Sequence, residues 1–250
     1  MYHSITFGDG SLDRNGNFEG TNTWDDWHLI PSSRPVIASP GVSTKMIEIP
    51  GKSGMIDLSE YLTGDVIYGN RSGSLEFYVD NGHEYWESIR SKIANFLHGQ
   101  KMCMCLEDDP TFYWEGRFSL NEWRSEPWNS MVVIDYNVGP FKISIRENDV
   151  TPVLWDTFNF NTDYDWYTLL HKRTVANQTL NVYIYAQRYP FELKATLEGS
   201  GEVDVTFGGV KKTLTTNGQS ETLGSASYGK NKLTIKGTGT VSFSFRGGSL

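Results

Sequence analysis

Apolar residues recur along this chain mostly with period two. In Gly73–Val79, Leu75, Phe77 and Val79 share one face, and Ser74, Glu76 and Tyr78 share the other. That alternation predicts a half-buried strand. Ile5–Phe7 reads as a short strand before a Gly8-Asp9-Gly10 turn. One segment has the other period. Trp86, Ile89, Ile93 and Leu97 are spaced three, four and four apart, which makes one apolar face of a helix over residues 83–98. Gly99 follows as a stop. Met102–Leu106, Phe112–Trp123 and Met131–Val138 then read as an antiparallel meander, with turns at Asp108-Asp109-Pro110 and Glu126-Pro127.

Residues 23–50 stand apart from this pattern. Thr23–Ile30 and Thr44–Ile49 are strand-like, and Pro31, Pro35 and Pro40 interrupt the stretch between them. Proline is excluded from central strands, so the segment predicts a protruding two-stranded arm with a Pro-rich tip. Trp24, Trp27, Ile47 and Ile49 have no obvious local core there. They are the candidates for contact with a neighbouring subunit. Pro50–Gly54 reads as a separate turn, and Met55–Leu62 and Tyr68 continue the β pattern.

The second half predicts short strands at 179–186, 191–197, 203–207, 211–215, 232–235 and 241–245. Gly199-Ser200-Gly201, Gly208-Gly209, Asn217-Gly218 and Gly237-Thr238-Gly239 read as the turns between them. The fold class is mainly β with one α-helix: an antiparallel meander with a helix and an arm over 1–140, and an all-β sandwich, read as a jelly roll, over 150–250.

Charge supports the division. The 250 residues carry 22 Lys+Arg and 30 Asp+Glu, a net charge of −8. Residues 1–140 hold 20 acids and 10 bases, whereas 141–250 hold 10 and 12. An acidic first domain is unsuited to gripping phosphates. Lys211-Lys212 and Lys230, Lys232 and Lys236 are the only concentrations of positive charge, and they read as solvated strand edges. No run of 18 apolar residues occurs, and the N-terminus lacks basic and apolar signal regions. Neither membrane insertion nor secretion is therefore expected.

Catalytic and metal motifs fail on their spacing. Gly51-Lys52-Ser53 would need glycine where Met46 stands to complete a phosphate-binding loop. Asn159, Asn161, Asp163 and Asp165 alternate as in a calcium loop, but Tyr164 and Leu170 occupy its glycine and glutamate positions. Cys103 and Cys105 lack further cysteines and read as a buried apolar pair. The five histidines are scattered. The expectation is no enzyme, no catalytic or metal site and no cofactor. A second reading is a carbohydrate-binding module of the second domain, with Trp155, Trp166 and Tyr167 as stacking candidates beside Tyr183.

Several segments, in order, resemble the distal tail proteins (Dit) of siphophages and prophages of Gram-positive bacteria. They are Ser4–Gly10 (SITFGDG), Ile49–Ser59 (IPGKSGMIDLS), the strand–helix unit Leu75–Gly99, Trp155–Phe160 (WDTFNF) and the Gly237–Leu250 ending. The resemblance implies a ring-forming N-terminal β-sandwich domain with a helix and a hairpin arm that reaches around the neighbouring subunit, and a galectin-like C-terminal β-sandwich. It implies a homohexamer, as single or stacked rings, that joins the tail tube and tape-measure protein to the tail-associated tip and receptor-binding proteins. The place implied is the virion tail tip, after synthesis in the host cytoplasm. DNA would pass through the ring without being specifically bound, and six acidic domains would surround it with about −60 formal charge.

Overall fold

A computed structural model describes residues 2–126, 129–145, 172–186 and 188–250. The chain divides into two compact units, Met1–Lys142 and Ile143–Leu250. Among the described residues it is mainly β, with one α-helix, which lies in the first unit.

The first unit contains strands β1 (Ile5–Gly8), β2 (Thr21–Asn22), β3 (Leu29–Pro31), β4 (Val42–Ser43), β5 (Met46–Glu48), β6 (Met55–Asp57), β7 (Ile67–Tyr68) and β8 (Arg71–Val79). A 3-10 turn (His83–Tyr85) and helix α1 (Trp86–Leu97) follow. Then come β9 (Lys101–Leu106), β10 (Phe112–Ser125) and β11 (Ser130–Val138), and β12 (Lys142–Ser144) begins at the last residue of the unit. The main antiparallel sheet runs in the order β2-β1-β9-β10-β11-β8-β3. The β9-β10-β11 meander sits at its centre.

Helix α1 buries Ile89, Ile93 and Leu97 and packs on β10. Burying each such side chain contributes about 1.5–3 kcal/mol. Trp86 is half-buried and donates Nε1–H to the Asn81 carbonyl at 2.8 Å. The helix ends where Gly99 takes a φ of 76°. The core beneath it holds Ile5, Phe7, Leu29, Phe77, Met104, Phe118 and Ile134, all fully buried. Cys103 and Cys105 are buried free thiols. Burial pushes the Cys105 thiol up to about 12, so it stays protonated near neutrality.

The second unit contains β13 (Lys172–Ala186), β14 (Glu192–Phe207), β15 (Val210–Leu214), β16 (Ser220–Ser225), β17 (Gly229–Ser244) and β18 (Gly248–Ser249). The order is β13-β17-β14-β15, and β16 also pairs with β14. The sequence pattern is corrected here. Residues 191–197 and 203–207 belong to one long strand, as do 232–235 and 241–245. Gly199-Ser200-Gly201 and Gly237-Thr238-Gly239 are bends within strands rather than turns between them. A Cβ on Gly201 would sit 2.1 Å from the Thr238 carbonyl oxygen, and one on Gly237 would sit 2.2 Å from that of Glu202. Only glycine permits so close a crossing. Asn177, at φ 48°, makes the matching bulge in β13. The bent strands enclose one core, with Leu193, Leu197, Val241 and Phe243 at one end and Val205, Phe207, Leu233 and Ile235 at the other.

Candidate functional site: an exposed apolar arm

The arm exists, but its boundaries differ from those the sequence pattern suggested. Its strands are β4-β7 and β5-β6, over residues 41–69, and not the two ends of 23–50. The reason lies at β3. Leu29, Ile30 and Pro31 pair with Val79, Tyr78 and Phe77 of β8 and so join the main sheet. Trp27, taken as an arm residue without a core, is only 4% exposed. Its ring packs on Phe7 and edge-on to Phe96, at centroid distances of 6.2 and 5.6 Å. Trp24 stacks on Tyr2 at 4.0 Å and meets the His28 ring edge-on. Neither tryptophan is on the arm; Ile47 and Ile49 are, and both are exposed.

The Pro-rich stretch is not the tip either. Pro35 is buried and Ile37 packs against the core. Without a ladder, the segment is held by side chains. The Tyr136 hydroxyl accepts from the Ala38 N–H at 3.0 Å, and the Arg34 Nε–H donates to Asp108 at 2.8 Å. Asp108 also hydrogen-bonds His3 at 2.8 Å. The His3 bond and then the Arg34 bond hold its carboxyl below the usual range.

The true tip is the Pro50–Gly54 turn. Ile47 lies opposite Ile56, Met46 opposite Asp57 and Glu48 opposite Met55. Gly51 and Gly54 supply φ of 83° and 87° for the reversal. Further in, the Ser59 hydroxyl accepts from the Lys45 N–H at 2.8 Å, and the Lys45 carbonyl accepts from the Leu58 N–H. Asp57 accepts from Ser59, which lowers its pKa.

No residue of 41–69 is buried. Val42, Met46, Ile47, Ile49, Met55, Tyr61, Leu62 and Ile67 are eight of the seventeen exposed large hydrophobics among the described residues. Tyr61 and Leu62 are 80% and 89% exposed. An isolated two-stranded hairpin is marginal in water, and exposed apolar surface of this extent is the kind that marks interaction sites.

The root is fixed. The Gly69 N–H donates to the Gly41 carbonyl at 2.8 Å, and Tyr68 meets Phe141 edge-on. Asn70 donates to Asn137 at 2.9 Å. Arg71, the first residue after the arm, is 6% exposed. Its Nε–H donates to the Pro140 carbonyl at 2.8 Å and its Nη1 to the Ala38 carbonyl at 3.0 Å. Its guanidinium lies 4.5 Å from the Trp114 ring centroid. Burial lowers its pKa, and no carboxylate bonds it among the described residues. Sequence reasoning missed Arg71; its only signal was a basic residue at the start of an otherwise alternating strand.

Among the described residues, no group of three or more His, Cys, Asp or Glu could hold a metal, and no helix is long and apolar enough to cross a membrane. Trp155, Trp166 and Tyr167 lie outside the described residues. Tyr183 is described: it is 51% exposed, with the Lys230 ammonium 4.1 Å from its ring centroid.

No protein-family model matches the chain, and no curated protein does. Among solved structures, it is similar to the crystal structure of SPP1 Dit (gp 19.1), described as a paradigm of the hub adsorption apparatus in Gram-positive infecting phages. The identity is 12% and the TM-score 0.60, over 98% of this chain and 99% of that one. The chain therefore has a Dit-like fold.

Proposed function

We propose that this protein is a structural hub component of a phage tail tip, assembling as a hexameric ring through the arm at 41–69. The observation that carries the reading is the arm itself, which has eight exposed large apolar side chains on a firmly anchored root. A monomer has no use for such a surface, and a ring supplies the same receiving surface to every copy. The Dit-like fold supports the same reading. In the ring, the acidic first unit lines a passage for DNA and repels phosphate rather than binding it. The tail tube, tape-measure, tip and receptor-binding proteins are its partners on either side, and the tail tip is its place in the virion. The chain performs no catalysis in this role.

The test is electron microscopy of the purified full chain. The expected images are sixfold rings with a central channel. A uniform population of single particles the size of one chain would contradict the reading.

A further inference from the structure

The chain holds three Asn-Gly pairs, Asn15-Gly16, Asn81-Gly82 and Asn217-Gly218. Such a pair can react with itself. The glycine nitrogen attacks the asparagine Cγ, and the new C–N bond closes a cyclic imide. The side-chain nitrogen leaves as ammonia, carrying the proton that the glycine nitrogen gave up. Water then opens the imide at one carbonyl or the other, which yields aspartate or isoaspartate. The net change is one water in and one ammonia out. Two freedoms are required. The glycine N–H must not be held in a hydrogen bond, and the asparagine amide must be free to rotate toward it.

The fold gives the three pairs different freedoms. At Asn217-Gly218 both reacting groups are held. The Gly218 N–H donates to the Leu197 carbonyl at 2.8 Å, and the Asn217 Oδ1 accepts from the Gly199 N–H at 2.8 Å. At Asn15-Gly16 one group is held. The Gly16 N–H donates to the Asp13 carbonyl at 3.0 Å, whereas the Asn15 side chain makes no hydrogen bond among the described residues. Gly16 and Gly218 also sit in left-handed turns, at φ 79° and 77°. At Asn81-Gly82 neither group is held: among the described residues, neither the Gly82 N–H nor the Asn81 side chain makes a hydrogen bond. Gly82 is extended, at φ −55° and ψ 148°. Exposure ranks the pairs the other way, since Asn15 and Asn217 are exposed and Asn81 is half-buried.

We infer that Asn81-Gly82 is the site at which this protein deamidates, and that the fold shields the other two pairs. The place gives the change a consequence. Asn81 and Gly82 stand between β8 and the 3-10 turn that leads into α1. The Asn81 main-chain carbonyl accepts the Trp86 Nε1–H at 2.8 Å. In isoaspartate the main chain runs through the Cβ and Cγ of residue 81 and is one atom longer. The carbonyl that served Trp86 becomes a free carboxylate off that path. The connection that places Trp86 and the first turn of α1 is therefore rebuilt. Either product also adds one negative charge per chain ahead of the helix.

The test is peptide mapping of the full chain by mass spectrometry, after incubation in mildly alkaline buffer with and without denaturant. Each conversion adds about 1 Da. In denaturant the three pairs should convert at similar rates. In the folded chain Asn81 should stay within about threefold of its unfolded rate. Asn15 should be slowed about fivefold and Asn217 about thirtyfold, because one and two hydrogen bonds must open first. Amide hydrogen exchange checks the cause: the Gly82 N–H should exchange faster than those of Gly16 and Gly218. Asn81→Gln, whose longer side chain closes the ring poorly, should remove most of the charge gained by the folded protein. Thermal melts matching the parent's establish that this variant folds. Conversion led by Asn15 or Asn217 in the folded chain would overturn the inference, because that order follows exposure. So would equal folded-to-unfolded ratios at the three pairs, or slow exchange at Gly82. Site order is read by peptide and assembly by particle mass, so the tail-hub reading stands or falls separately.

Discussion

Residues 23–40 and 41–69 have similar apolar content and opposite fates. In the first, Trp27 and Leu29 enter the core, Pro35 is buried, and β3 extends the main sheet. In the second, nothing is buried and the strands pair only with each other. The difference is not composition. Leu29–Pro31 meets a free edge of β8 that it can complete, and 41–69 meets none. Apolar density along a chain thus shows that a surface must be covered, but not whether its own core or another molecule covers it.

The sharpest way to break this comparison is to truncate one residue on each side. Trp27→Ala should cost about 3–5 kcal/mol in chemical denaturation, because a nearly fully buried ring between Phe7 and Phe96 leaves a cavity. Ile47→Ala should change the unfolding free energy of the dissociated chain by no more than about 0.5 kcal/mol, while weakening assembly. Comparable costs in the two variants would mean that the arm packs on its own chain.

The boundary between the regions is next. Arg71→Leu leaves the Ala38 and Pro140 carbonyls without their donor and removes the cation over Trp114. A loss of about 2–3 kcal/mol is expected, together with faster protease cleavage at 38–41. A variant as stable and as resistant as the parent would show that the root is not pinned there.

These particulars also show what was legible in the sequence. Local periodicity reported β8, α1 and the meander because each element's face follows from its own residues. The β3–β8 pairing joins residues 29–31 to 77–79, and no local pattern encodes that separation. The turn at Pro50–Gly54 was read as a turn but not as the arm's tip, for the same reason. In the second unit, Gly199 at φ 83° carries the positive φ that a turn would require. Only the approach of Thr238 distinguishes a bend within a strand from a reversal. Of the lysines read as edge residues, Lys211 and Lys212 lie on β15, at the end of the sheet order. The β14–β17 register stops at Thr234, short of Lys230 and Lys232, and only Lys236 is paired on both sides.

The smallest expected effect concerns pH. Hydrogen bonds from His3 and Arg34 depress the Asp108 pKa, so the associated stability is present above the unfolded value, about 3.9. It is lost as pH falls through the folded value. Asp108→Asn should therefore destabilise by no more than about 1 kcal/mol at neutral pH, and the gap between variant and parent should close in acid below about pH 4. A gap that stays constant with pH would remove the carboxylate from the account of how the 31–41 segment is held.

The central claim is that the arm makes the assembly. Ser43 and Ile67 are Cα partners, so residues 44–66 can be replaced by Asn-Gly, a two-residue reversal that leaves the root intact. Native mass spectrometry of the full chain and this variant tests the claim most directly. The account predicts six times the 28.3 kDa of one chain, or a multiple of that ring, for the full protein, and a folded single chain for the variant. Equal masses for the two proteins would contradict it.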